Sequence, residues 1–256
     1  MLYLEKLSLY LRIKDRNKVI DGTDIQHDIL DYMPLLHSFT FYICTHVNTV
    51  GLSYKLSSED IQQTLTNIGQ QHASSMVNYT DDDTAACSIF SLPFEFDCLK
   101  EVGYKFPDIV FKYVMVLCVE DFNHPFNHEF FVRIARSFPL LQYLGILNIK
   151  PMVSHDVNEF SSGNCQLCST IEYPHLIRLD VRPAHWTYVE QFLNETKTKM
   201  PSLTELRVIA RHLKYVTKDF TREETRCHCS KVKALDTLGS SAYLLHSRPY
   251  FPSLGK

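Results

Sequence analysis

Glycine is scarce in this chain: 8 residues of 256, against a usual share of about 7%. Phosphate-cradling loops are built from glycine, because the backbone must approach the ligand closely. No Walker loop, no dinucleotide fingerprint and no Gly-x-Ser-x-Gly nucleophile elbow is present. Long apolar runs are missing too. The richest, Val110 to Val119, is broken by Lys112 and falls short of the roughly 18 residues a membrane helix needs. The first residues, Met1-Leu-Tyr-Leu-Glu-Lys-Leu, lack the basic start of a secretory signal. Charge of one sign is also lacking. Lys and Arg number 26 and Asp and Glu 29, a net charge of -3, which excludes a strongly basic nucleic-acid binder. The reading is an intracellular protein, cytoplasmic or nuclear, whose eight cysteines are reduced thiols. The sequons at Asn78 and Asn194 are then incidental.

What the chain has is aromatic bulk, with 16 Phe and 14 Tyr, and a recurring phrase. Met33-Pro-Leu-Leu36-His-Ser-Phe39-Thr-Phe41 returns as Phe138-Pro-Leu-Leu141-Gln-Tyr-Leu144-Gly-Ile146. It returns again as Tyr173-Pro-His-Leu176-Ile-Arg-Leu179-Asp-Val181 and as Met200-Pro-Ser-Leu203-Thr-Glu-Leu206-Arg-Val208. A headless copy, Leu4-Glu-Lys-Leu7-Ser-Leu9, opens the chain. A weaker one, Phe106-Pro-Asp-Ile109, has a following strand (Tyr113 to Val119) out of register. The first aliphatic positions, 4, 36, 109, 141, 176 and 203, are spaced by 32, 73, 32, 35 and 27 residues. One unit between 41 and 105 is therefore divergent or replaced.

The last two apolar positions of the phrase are two apart, so they share a face of an extended segment. The proline precedes the strand, where its missing N–H costs nothing. Segments before the prolines read as helices. Asn127 is placed as an N-cap, with Phe126 and Phe131 as a hydrophobic staple, and Phe130, Phe131, Ile134 and Phe138 mark one face. Trp186, Val189 and Leu193 form another stripe. Ser57-Ser-Glu-Asp60 opens a third, continued by Ile61, Leu65 and Ile68 until Gly69. Ile25, Ile29, Leu30 and Met33 precede the second strand. Leu99, Val102 and Phe106 are spaced for a helix before the fourth.

Strand–helix units at this spacing predict an α/β fold with a parallel sheet. A doubly wound sheet and a barrel are alternatives. The shared proline and leucines favour an irregular leucine-rich-repeat-like solenoid over residues 1–225, with a divergent middle at 44–97. Within that middle, Asp81–Asp83 reads as a solvated turn and Ser88–Phe94 as a strand ending at Pro93. Residues 226–256 form a capping segment and tail of the same domain, with Arg248 to Lys256 expected to fray.

Leu-x-x-Leu-x-Leu resembles the strand signature of leucine-rich repeats. With its leading aromatic-Pro, the repeat region is similar to that of F-box proteins, the substrate receptors of cullin–RING ubiquitin ligases. Phe126-Asn-His-Glu-Phe-Phe-Val-Arg-Ile-Ala-Arg-Ser-Phe-Pro139, Ser91-Leu-Pro-Phe94 and Glu190-Gln-Phe-Leu-Asn-Glu-Thr196 carry the likeness, which covers most of residues 1–225. It implies a non-catalytic protein-interaction module with an unknown protein partner or substrate, and a ligase adaptor as partner only if an F-box lies upstream. The F-box itself is not seen: Leu92-Pro93-Phe94-Glu95 is superficially alike but follows a strand. The repeat asparagine three positions past the last leucine is also missing, since Asn148 falls two past Ile146.

A metal or hydrolytic site is the alternative. Cys165-Gln-Leu-Cys168 has half-site spacing for zinc, and Cys227-His-Cys229 offers further ligands. His124 and His128 do not match a zinc-protease motif, and His128 reads as the first residue of a helix. No catalytic, cofactor-binding or metal-ligating residue is assigned, and no cofactor is expected. Residues 197–233 hold ten Lys or Arg and four Asp or Glu, a solvated helix face or an RNA-facing one. Strand residues flanking the inward leucines point outward and form the candidate binding face: His37, Ser38, Tyr143, Arg178, Asp180, Glu205 and Arg207.

Overall fold

The computed structural model describes residues 4–50, 56–65, 72–153, 170–239 and 247–255. Ile68 and Gly69, placed at the end of a helix by the sequence, lie outside these residues, as do Cys165 and Cys168.

Two main sheets organise the chain. The first has the order β1-β2-β4-β3. Strands β1 (Lys6–Arg16) and β2 (Ser38–Asn48) are parallel, whereas β3 (Ala73–Tyr79) and β4 (Thr84–Ser91) enter antiparallel. The divergent middle is thus a hairpin turned at Asp81–Asp83 in place of a strand–helix unit. Helices α1 (Gly22–Asp28) and α2 (Ser58–Thr64) accompany this sheet. Asp21 caps α1 through a capping box with Asp24, and Ser57 caps α2 by accepting from the Asp60 N–H at 3.1 Å.

The second sheet has six parallel strands in chain order: β5 (Cys98–Val102), β6 (Val116–Glu120), β7 (Tyr143–Leu147), β9 (Arg178–Asp180), β11 (Glu205–Ile209) and β12 (Ala234–Leu238). It does not close into a barrel, and its order never reverses. Between the main strands, β8 (Ile171–Glu172) and β10 (Thr198–Lys199) pair in parallel just before Pro174 and Pro201. Helices α3 (His128–Ser137), α4 (Trp186–Leu193), α5 (Ala210–Val216) and α6 (Glu223–Cys229) complete the units. Among the described residues, no helix is long and apolar enough to cross a membrane.

The repeated phrase lies where strand physics puts it. Phe39 and Phe41, Leu144 and Ile146, Leu179 and Val181, and Leu206 and Val208 are all buried. Asn127 caps α3 by accepting from the Phe130 N–H at 2.9 Å, and Phe126 meets Phe131 with ring centroids 5.9 Å apart. Parallel crossovers are right-handed as a rule, and a strand order that always advances in one direction then puts α3, α4, α5 and α6 on one face of the sheet. Its rings connect in series. Phe90 and Phe94 touch Phe111, which stacks on Phe138 at 4.8 Å; Phe138 leads through Phe106 to Phe130 and Phe126. Tyr188, Phe131, Phe192 and Tyr173 continue the series.

Three expectations are corrected. The single parallel array is two sheets, one of them mixed. Residues 98–102 form β5, not a helix: Leu99 and Val102 are both buried because the register shifts between them at an irregularity, and this extra residue mimics helical spacing. The C-terminal stretch does not fray at Tyr250 and Phe251, which are buried against Phe220 with centroids 5.8 and 6.3 Å away. Both sequons fall on buried asparagines; Asn78 donates to the Glu120 carbonyl at 2.7 Å.

The missing repeat asparagine has a substitute one position earlier. Asp121 and Asn148 each stand two residues past the last inward side chain of their strand, and both are buried. Asp121 accepts from the N–H groups of Tyr104, Asn123 and His124 at 2.7–3.0 Å. Asn148 donates to the His124 carbonyl at 2.9 Å and accepts from the Lys150 N–H. Each side chain satisfies backbone groups of the unit before it, which no neighbouring strand reaches.

Candidate functional site

The helix-free face of the six-stranded sheet carries the alternate strand residues. Register fixes its rows: Val116, Tyr143, Arg178, Glu205 and Ala234 lie side by side, and Cys118, Gly145, Asp180, Arg207 and Asp236 form the next row. Oppositely charged side chains that face across neighbouring strands attract. Arg178 is ion-paired with Glu205 and lies over the Tyr143 ring at 5.9 Å. Arg182, in the turn after β9, donates to Asp180 at 2.7 Å and to Asp236 at 3.0 Å. Arg207 approaches the same two carboxylates, both at 3.7 Å. Arg182, Asp180, Arg207 and Asp236 thus close a four-membered ring of alternating charge. Its charges sum to zero, as do those of Arg178 and Glu205. The hydrogen bond from Arg178 holds the Glu205 carboxyl below its ordinary range.

Five of the seven outward candidates sit in these rows, and Asp180 is buried beneath its two arginines. His37 and Ser38 stand at the start of β2 in the other sheet, exposed and half-buried. Sequence reasoning missed Arg182 and Asp236. Arg182 is in a turn, and Asp236 lies in the tail, where no period marked a strand.

A second cluster lies between the sheets. Cys44 and His46 are two apart on β2 and so share the face turned toward β5. Glu101 comes from β5 and is itself buried. Its φ of +58° is left-handed, a conformation that favours glycine, and it falls at the irregularity between Leu99 and Val102. There the bulged backbone aims the carboxylate at the first sheet. Cys44 Sγ donates to Glu101 Oε2 at 3.3 Å, His46 Nε2 lies 3.2 Å from Oε1, and Arg12 pairs with the same Oε1. His46 Nδ1 is buried with no partner among the described residues. Burial, then the charge of Glu101, pushes the Cys44 thiol up to about 12. Burial and the same charge raise the Glu120 carboxyl to about 7. The Cys-x-His spacing was visible in the sequence, but nothing there shows that Glu101 meets it.

Cys165 and Cys168 lie outside the described residues. On α6, Cys227 is exposed and Cys229 buried. His228 between them spends both ring nitrogens on backbone, with Nδ1 3.0 Å from the Leu193 carbonyl and Nε2 accepting from the Met200 N–H at 3.2 Å. His128 is the first residue of α3, and His124 packs against Asp121. In the basic stretch 197–233, Lys197, Arg207, Lys214, Arg222 and Arg226 each face a carboxylate, so half of its ten cations are paired within the fold. The chain matches no protein-family model, no curated protein and no solved structure.

Proposed function

We propose that this chain is a non-catalytic protein-interaction module, an irregular leucine-rich-repeat-like solenoid akin to the substrate-recognition region of F-box proteins. One observation carries the reading. Six parallel strands stand in chain order with their helices on one face, which leaves the other as a ready-made surface of ion-paired side chains. Tyr143 and the arginines Arg178, Arg182 and Arg207 supply the residue types that anchor protein interfaces. Each arginine is already held in place by a carboxylate, so little side-chain freedom is lost on docking. The partner is a protein segment whose own charges alternate, since the face offers both signs and no net charge. Coupling to a cullin–RING ligase depends on an F-box being joined to this region.

The test compares proteins retained by the wild-type chain in cells with those retained by two variants, using quantitative mass spectrometry. In the first variant, Arg178, Arg182 and Arg207 are all changed to Glu. The second is Arg136→Glu on the exposed side of α3. A partner lost only from the first variant is expected, and a cullin scaffold among the retained proteins would extend the reading to the ligase. Equal retention by all three chains removes the sheet face from consideration.

A further inference from the structure

We propose that Cys44, His46 and Glu101 bind one zinc ion that clasps the two sheets together. The three donor atoms, one sulfur, one imidazole nitrogen and one carboxylate oxygen, all lie within 4.8 Å of one another. Zinc takes these ligand types at about 2.0–2.3 Å, and tetrahedral angles then place donors roughly 3.3–3.6 Å apart. Sγ–Oε2 at 3.3 Å already has that spacing, and His46 Nε2, 3.2 Å from the other oxygen of the same carboxylate, completes a donor set no wider than 4.8 Å. The ligands are gathered without any movement of the strands that carry them.

The cluster is poorly explained as packing alone. The Cys44 thiol proton lies between sulfur and carboxylate, at the place a cation would take. A histidine nitrogen is left buried without a partner. Glu101 holds a left-handed backbone that glycine would adopt with less strain. Arg12 pairs with one oxygen of the cluster's carboxylate, Oε1. It leaves Oε2 facing the sulfur, so it would orient the carboxylate as an outer partner of the site. Binding exchanges the Cys44 thiol proton, released to solvent, for the metal. Zn2+ with one thiolate and one carboxylate is then neutral, and the Arg12 charge is undisturbed. Three protein donors leave the fourth tetrahedral position to water. Entry is from the side where Arg12 and His46 are partly exposed.

The decisive experiment titrates the reduced full chain with Zn2+ and, in parallel, with Co2+. One equivalent should bind, raise the thermal midpoint, and with cobalt give a tetrahedral visible spectrum together with a thiolate charge-transfer band. Cys44→Ser and His46→Gln should each weaken binding at least about 100-fold, more than the loss of an outer partner does. Circular dichroism checks that each variant is folded. A third variant, with Cys165, Cys168 and Cys227 all changed to Ser, leaves the proposed ligands intact and should keep the full cobalt spectrum. That variant serves the test even if Cys44→Ser fails to fold. Absence of zinc binding in the wild type overturns the proposal. So does loss of the thiolate band in the triple variant, which would place the metal on the other cysteines. Unchanged binding in a folded Cys44→Ser or His46→Gln chain overturns it as well.

Discussion

The two sheets solve the same problem in opposite ways. The six-stranded sheet buries one face and leaves the other wet, so its strands alternate Leu or Val with Tyr, Arg, Asp or Glu. The central strands of the four-stranded sheet, β2 and β4, are covered on both sides, while its edge strand β1 stays largely exposed. The odd-numbered residues of β2, with Ala85, Cys87 and Ile89 of β4, pack toward α1 and α2, where Ile25, Ile61 and Leu65 meet them. Tyr42, Cys44, Ala86 and Phe90 turn toward the other sheet and join its core. A sheet with one wet face displays chemistry at its surface. A strand with two dry faces, such as β2, can bring a thiol and an imidazole to a carboxylate only by burying them.

This contrast can be broken first at the core. Phe90→Ala, in the two-sided sheet, and Leu144→Ala, in the one-sided sheet, each empty a fully buried position. Urea unfolding should show losses of about 3–5 and 2–5 kcal/mol. By comparison, Arg178→Ala on the wet face should cost no more than about 1 kcal/mol, because its pair with Glu205 is partly exposed. A loss at Arg178 as large as that at Leu144 would contradict the division into inward and outward rows.

The next test lies where the sheets meet. Glu120 is half-buried, and its carboxyl is raised from the ordinary 4.5 to about 7. The folded chain therefore holds this proton more tightly than the unfolded chain. Between pH 4.5 and 7 the unfolded chain ionises first, so this group's contribution makes stability fall as pH rises through that window, and the loss is complete above it. Glu120→Gln keeps the neutral shape. It should stabilise the protein at pH 8 by on the order of 1–3 kcal/mol and change nothing at pH 4. Equal stabilisation at both pH values would show that the carboxyl is not held neutral by the fold.

The smallest expected effect lies at the far end of the array. Lys218, Asp219 and Phe220 have successive φ values of +49°, +58° and +62°. Lys218→Gly removes a Cβ from a left-handed position and should raise stability by up to about 1 kcal/mol in thermal unfolding. Asp219 is a poorer choice, since it pairs with Lys214 at 3.5 Å.

What was legible in the sequence follows the same division. Strands β7, β9 and β11 are readable because one wet face leaves a period of two. Helix α3 is readable because Asn127 and its phenylalanines obey capping and staple rules. The first sheet was less regular to the eye: eight strand residues from Thr84 to Ser91 are almost all buried, so alternation disappears. The irregularity in β5 converts a strand's spacing into a helix's. The tail was misjudged because Tyr250 is held by a hydrogen bond to Thr225 and by aromatic neighbours from other elements, which no local pattern reports. Of the candidate sites, the charged rows were partly readable from alternation. The Cys44–His46–Glu101 cluster was not, because it joins residues more than fifty positions apart across two sheets.

The chain of aromatic rings from Phe90 to Phe192 bears on how this molecule comes apart. In a stack where each unit touches only its neighbours, the ends can fray one at a time, and the extent of fraying is set by the ratio of interface energy to intrinsic unit energy. Phe111 against Phe138, and Phe126 against Tyr188, are each shared by two units. Such shared rings move stability out of the single unit and into the junction. Losing one strand–helix unit would strip rings from its neighbour's core, which favours unfolding as one cooperative block over stepwise fraying.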